Sequence, residues 1–253
     1  MSNKINILVV DDDRRMAKTI VDILIVKGFA ADIAYSGSEA LEAIENRNYN
    51  CILTDIKMPL MNGVEFFLNA KELHPDIPFL MMTAYTTNEL VNQGIEEGAI
   101  GVVNKPLDIN QLLSFFSAVG MKRIAVIIDD NPNFCETIGD ILRNRNYSVT
   151  EISDIDDILN HIESEPQVIL LDLKLNGISG LDIIPQLKEK YPDNQIVIVT
   201  GYREEMSGAI NKALEFDAYA CLYKPLQIDQ LLKVLSDIHH QSLRQQLVVC
   251  SEE

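Results

Sequence analysis

No run in this 253-residue chain is long and apolar enough to serve as a signal-peptide core or a membrane span. The opening "MSNK" leads straight into "INILVV", a short strand-like run that ends in acids. These features imply a cytoplasmic protein with no membrane partner. Cysteine is sparse: Cys51, Cys135, Cys221 and Cys250 lie far apart and form no CxxC, as expected of reduced structural thiols. Basic residues are also scarce, with 21 Lys and Arg against 38 Asp and Glu. Both halves share the deficit: 9 against 16 in residues 1–120, and 12 against 22 in residues 121–253. Neither half offers a basic face to a phosphate backbone, which argues against direct nucleic-acid binding. Acidity alone means only solubility until the acids are placed.

The remainder is ordinary globular material, 47% hydrophobic, and it is written twice. "ILVVDDD" pairs with "AVIIDDN", "LTDIK" with "LLDLK", "LMMTAY" with "VIVTGY", and "VVNKPL" with "CLYKPL". The offsets are 118 (Asp12 to Asp130), 117 (Asp55 to Asp172), 117 (Thr83 to Thr200) and 119 (Lys105 to Lys224). Near-equal offsets over four blocks predict two homologous domains, residues 1–120 and 121–253, the second ending in a C-terminal tail. No Gly/Ser-rich tether joins them.

Short apolar runs at 5–10, 30–34, 50–54, 78–82 and 100–103 read as strands, with helices between them. Met16, Ile20, Ile23 and Leu24 form the stripe of a half-buried helix, and Phe134, Ile138, Ile141 and Leu142 repeat it. Ser36 with Glu39, Thr86 with Glu89, and Asp108 with Gln111 mark helix starts, while Gly28 marks a helix end. Five β/α units per copy predict an α/β protein with a parallel sheet covered by helices on both faces.

Such sheets bind ligands beyond the carboxyl ends of their strands. Asp11 and Asp12 end the first strand, Asp55 the third and Thr83 the fourth, and Lys105 follows the fifth. An Asp after a strand is usually a turn or a cap. Independent caps do not explain a five-position pattern that occurs twice. Carboxylates 4 Å apart repel by roughly 4 kcal/mol at an effective dielectric of 20, so a clustered trio calls for protonation or a cation. Oxygen-only ligands with open positions suit Mg²⁺ better than Zn²⁺. A hydroxyl at Thr83 and a charge at Lys105 can hold a phosphoryl group, with Asp55 as the nucleophile that forms an acyl phosphate.

Each half resembles a response-regulator receiver domain of two-component signalling, chemotaxis-receiver-like, and the two together cover essentially the whole chain. The resemblance implies two flavodoxin-like, doubly wound five-stranded sheets in tandem, with strand order 2-1-3-4-5. It further implies that Asp55 and Asp172 accept phosphate from a histidine kinase or phosphotransfer protein. Asp11, Asp12 and Asp55 in the first copy, and Asp129, Asp130 and Asp172 in the second, would bind Mg²⁺ (or Mn²⁺), completed by the backbone carbonyls of Lys57 and Lys174. Thr83 and Thr200 would sense the phosphoryl group, and Lys105 and Lys224 would pair with it, each Lys-Pro bond being cis. Lys57, Tyr85, Lys174 and Tyr202 would set phosphoryl lifetime, similarly in both copies. The faces around helices 4 and 5 would serve a dimer or an unknown downstream protein.

Two departures stand out. The first copy keeps Asp55, Met58, Pro59 and Gly63, but the second has Leu175 and Asn176 where Met-Pro is expected, which predicts a looser loop before Gly180. The switch aromatic three residues before the lysine is replaced by Val102 and Cys221. Only 29 residues follow Lys224, too few for a DNA-binding or catalytic output module. The expectation is therefore a response regulator without an output domain, catalysing only its own phosphorylation and dephosphorylation. The sequence also fits a fragment of a longer regulator, or a chain whose second copy is a structural pseudo-receiver. Asp11-x-Asp13 resembles the nucleophile motif of haloacid-dehalogenase-type phosphohydrolases, but Asn131 breaks it in the second copy. His239 and His240 read as solvated helix residues.

Overall fold

The computed structural model describes residues 4–84, 89–154, 158, 161–162, 164–201 and 217–249. The chain divides into two compact units, Met1–Met121 with His239–Glu253, and Lys122–Ile238.

In the first unit, β1 (Asn6–Val10), β2 (Ala30–Ala34), β3 (Cys51–Asp55), β4 (Phe79–Thr83) and β5 (Gly101–Asn104) form one parallel sheet in the order β2-β1-β3-β4-β5. Helices α1 (Arg14–Val26), α2 (Gly37–Asn46), α3 (Gly63–Leu73), α4 (Glu89–Glu96) and α5 (Ile109–Val119) alternate with the strands. The central strands are apolar over most of their length, up to polar residues at their ends, because both of their faces are covered. Leu8, Val10, Ile52, Phe79 and Met81 pack with α2 and α3, while Ile7, Val9, Leu53, Leu80 and Met82 pack with α1 and α5.

The second unit repeats the plan. β6 (Arg123–Ile128), β7 (Tyr147–Ile152), β8 (Val168–Leu171), β11 (Gln195–Thr200) and β12 (Ala220–Tyr223) run β7-β6-β8-β11-β12, again 2-1-3-4-5. Helices α6 (Pro132–Arg143), α7 (Gly180–Lys190) and α8 (Ile228–Val249) are described. The helix expected between β11 and β12 lies outside the described residues.

Local chemistry accounts for the element ends. Asp13 and Asn131 cap α1 and α6 by accepting from the amides two and three residues on. Ser36 and Asp108 cap α2 and α5 as their spacing predicts, and Asn62 with Glu65 completes a capping box on α3. Thr86 lies outside the described residues. Gly28 ends α1 at φ 95°, a backbone state that favours glycine.

Two outcomes differ from the sequence reading. The loop after Asp172 is a hydrogen-bonded hairpin, β9 (Lys174–Leu175) against β10 (Ile178–Ser179), rather than a looser segment. Gly177 supplies φ 84° at its turn, which lets the ends pair without proline. The sequence boundary also gave all of residues 121–253 to the second domain, whereas the end of α8 groups with the first unit. Leu243 is buried there among β1, β3–β5 and α5 side chains, with Leu247 packed beside it.

Candidate functional site

Strand geometry brings the polar residues of each copy to one sheet edge. Asp11 and Asp129 extend β1 and β6, where their amides donate to Ala34 and Ile152. The amide of Lys105 donates to the Thr83 carbonyl at 2.7 Å, and that of Lys224 to Thr200 at 2.8 Å, so each lysine is tied to the strand end that carries the threonine. Lys105–Pro106 and Lys224–Pro225 are cis, as the resemblance implied.

In the first unit, oxygens of Asp11, Asp12 and Asp55 lie within 4.8 Å of one another. Lys105 Nζ bridges Asp11 Oδ2 at 2.8 Å and Asp55 Oδ1 at 3.1 Å. Asp11, Asp55 and Thr83 are buried, while Asp12 is open to solvent. Burial is the main force raising the Asp55 carboxyl above the ordinary carboxylate range; Lys105 opposes it, and Asp11 and Asp12 reinforce it. Burial also weakens the charge on Lys105, but its carboxylate partners prevail and raise it.

The second unit shows the same trio, Asp129, Asp130 and Asp172. Lys224 Nζ lies 2.5 Å from Asp129 Oδ2 and 2.6 Å from Asp172 Oδ2. Burial raises the Asp129 carboxyl against the pull of Lys224. The Lys174 amide donates to Asp172 Oδ1 at 3.0 Å. Asp129, Asp172 and Thr200 are buried and Asp130 is half-buried.

Gly63 and Gly180 share a steric origin. A Cβ at Gly63 would stand 2.1 Å from the Asp55 carbonyl oxygen, and one at Gly180 would stand 2.2 Å from that of Asp172. Each helix start is pressed against the strand end that carries the aspartate. Lys57 and Lys174 are exposed beside the clusters. Tyr85 and Tyr202 lie outside the described residues. Val102 and Cys221 are half-buried against the sheet face opposite α5 and α8, respectively.

Phe134 was legible only as one member of an apolar stripe. Its ring centroid lies 4.4 Å from Lys224 Nζ, a contact that no sequence spacing signals.

The model for the response regulator receiver domain matches residues 7–117 and 125–236. The chain belongs to the response regulator receiver domain family. A response regulator receiver protein of Anaeromyxobacter sp. (strain Fw109-5) is 26% identical over 197 residues, covering 78% of this chain and 83% of its own length. The transcriptional regulatory protein ZraR of Salmonella typhimurium is 36% identical over 109 residues, and the match spans 43% of this chain and 25% of ZraR. A CheY-like receiver domain protein from Methanospirillum hungatei JF-1 is 33% identical, with TM-score 0.44, covering 46% of this chain and 92% of that one.

The protein is thus a tandem receiver with two acidic clusters consistent with two-component signalling. Family membership supports a signalling protein that phosphorylates itself rather than an enzyme of steady turnover. Histidine kinases or phosphotransfer proteins are its partners as a class. The three oxygens of each cluster form a hard, all-carboxylate donor set that fits the family's divalent-metal motif. Among the described residues, no helix is long and apolar enough to cross a membrane.

Proposed function

We propose that Asp55 and Asp172 each accept a phosphoryl group from a histidine kinase or phosphotransfer protein, with Mg²⁺ (or Mn²⁺) held by Asp11, Asp12 and Asp55 or by Asp129, Asp130 and Asp172. The observation that carries this reading is the convergence, in both units, of three carboxylate oxygens within 4.8 Å and one lysine contacting two of the aspartates. A bound divalent cation would offset the negative charge that gathers on the transferring phosphoryl group.

The chain's own residues supply the rest. A carboxylate oxygen of Asp55 forms the new bond to phosphorus. The bond to the donor breaks, and its electron pair leaves with the donor group. The product is an acyl phosphate. Lys105 moves its charge from the free carboxylate to the phosphoryl oxygens, and the Thr83 hydroxyl donates a hydrogen bond to them. Lys224 and Thr200 do the same at Asp172. The Lys57 and Lys174 carbonyls would each offer a further oxygen to the cation of their own unit, and the side chains of Lys57, Tyr85, Lys174 and Tyr202 tune access of water to the acyl phosphate. The protein works in the cytoplasm and passes its state to a downstream protein by contact.

A second reading, in which only Asp55 works and the second receiver is an interaction module, is favoured by the β9–β10 hairpin replacing the Met58–Pro59 loop. Intact-protein mass after incubation with Mg²⁺ and a small acyl-phosphate donor separates the two. Two phosphoryl groups on the wild type and one on each of Asp55→Asn and Asp172→Asn support two acceptors. One group, lost only with Asp55→Asn, supports the interaction module. Part of the α5 face that would serve a dimer is already covered in the first unit by Leu243 and Leu247.

A further inference from the structure

Helix α8 carries two apolar stripes. Leu231, Leu235 and Ile238 are buried in the core of the second unit. Leu243 and Leu247 lie roughly 130° further around the helix, taking about 100° per residue, and they pack in the core of the first unit. One amphipathic helix needs a single stripe. The second therefore has its own binding surface.

That surface lies on β5, the turn before it, and α5. Leu243 is only 2% exposed. Leu247 rests on the bare backbone of Gly101, since a Cβ there would come within 2.6 Å of the Leu247 Cδ1. Arg244 donates to the Gly98 and Ala99 carbonyls at 3.4 and 3.3 Å, and Gln111 Nε2 donates to the Leu247 carbonyl at 3.3 Å. The surface thus offers an apolar slot floored by glycine, two carbonyls for a cation and a donor for a helix carbonyl. The sequence Leu243-Arg244-x-x-Leu247 matches all three.

We propose that residues 239–249 are a built-in ligand of the first receiver, occupying its β5/α5 face so that another helix of Leu-Arg-x-x-Leu chemistry must displace them to bind. The proposal is independent of which aspartates accept phosphate. It makes the first receiver self-covered on this face, available to a helix of that chemistry only when the C-terminal helix lets go.

The test uses the full chain and a fluorescent peptide copying residues 238–250. Wild type should bind the peptide at least tenfold more weakly than Leu243→Asp, whose own segment no longer competes. Gly101→Leu fills the slot and should bind no peptide even though its own segment is released. Hydrogen exchange over residues 98–119 and 239–249 should be slow in wild type and faster in both variants. Equal peptide binding by wild type and Leu243→Asp would overturn the proposal, as would rapid exchange of 239–249 in wild type. Arg244→Ala removes only the cation and should shift exchange in the same direction by a smaller amount. This keeps the test valid if Leu243→Asp fails to fold, and unchanged exchange in Arg244→Ala would then count against the proposal.

Discussion

The ammonium of Lys224 sits 4.4 Å from the ring centroid of Phe134, on the first helix of the second receiver, while it bonds Asp129 and Asp172. The position matching Phe134 in the first receiver, by the offset of 118, is Met16. The ring steadies the cation by about 0.5–2 kcal/mol for such a contact. Phe134 is then a positioning residue for the second site alone. Phe134→Met should slow Asp172 phosphorylation roughly threefold to tenfold, leave Asp55 unchanged, and be rescued by Phe134→Tyr. Site-resolved mass after short incubations with an acyl-phosphate donor reads this directly. Equal slowing at both sites would assign the effect to folding rather than to Lys224.

The most solvent-accessible member of each trio, exposed Asp12 and half-buried Asp130, provides a test of cation binding that needs no phosphate. Without a cation, three carboxylates share one lysine. Asp12→Asn relieves repulsion, and because Asp12 is solvent-exposed and screened the relief should be below about 1 kcal/mol. The same change removes a ligand oxygen. Thermal melts in chelator should therefore show the variant at least as stable as wild type, whereas the rise that excess Mg²⁺ gives wild type should be largely lost. A ligand at ten times its Kd stabilises by about 1.4 kcal/mol, which sets the size of that rise. An undiminished Mg²⁺ response in Asp12→Asn would remove Asp12 from the site. Asp130→Asn makes the parallel test for the second receiver.

The residues that carry the fold were readable because they obey local rules. Continuous apolar strands ending in Asp55 and Asp172 require a covered parallel sheet, and repetition of the pattern about 117 residues later excludes coincidence. The two aspartate–lysine clusters followed from topology alone. What escaped was set by tertiary contact. Asn176–Gly177 looked like a loosened loop, yet pairing between β9 and β10 gives it register. Leu243 and Leu247 looked like the tail of a last helix, because their burial depends on Gly101 and α5, more than 120 residues away in sequence. Phe134 fitted the stripe of α6 equally well whether or not a lysine lay above it.

The glycines eight residues after each acceptor make a steric prediction. Gly63 brings the start of α3 against the Asp55 carbonyl, and its amide donates to Ile56 at 2.9 Å. A methyl group placed 2.1 Å from that oxygen cannot be absorbed by a side-chain rotation, because both partners are backbone. Gly63→Ala should cost about 3 kcal/mol or more, in the range of severe overpacking. It should also shift Asp55 and impair its phosphorylation. Gly28→Ala, in open space at φ 95°, should cost only about 1–2 kcal/mol for its backbone strain and leave phosphorylation intact. Urea unfolding followed by circular dichroism gives both values, and similar costs at the two positions would refute the close-approach account.

Tyr49 makes the pH dependence of the first receiver testable away from the phosphorylation site. Its buried hydroxyl donates to Asp32 Oδ2 at 3.0 Å, and Arg47 Nη1 bonds the same oxygen at 2.5 Å. Burial, then the hydrogen bond and charge of Asp32, push the phenol up to about 12, against the smaller opposing pull of Arg47. An unfolded tyrosine ionises near pH 10. The fold therefore favours the protonated phenol, and its stabilisation is fully present below about pH 10. It is lost as pH rises from there through about 12. Tyr49→Phe should cost about 1 kcal/mol at neutral pH, the low end for a bond to a charged group because Asp32 keeps Arg47. The same variant should lose stability less steeply than wild type above pH 10. The difference between wild-type and Tyr49→Phe absorbance titrations isolates one phenol among eight tyrosines. A step near 12 supports the buried, Asp32-bonded hydroxyl, and a step near 10 would place Tyr49 in solvent.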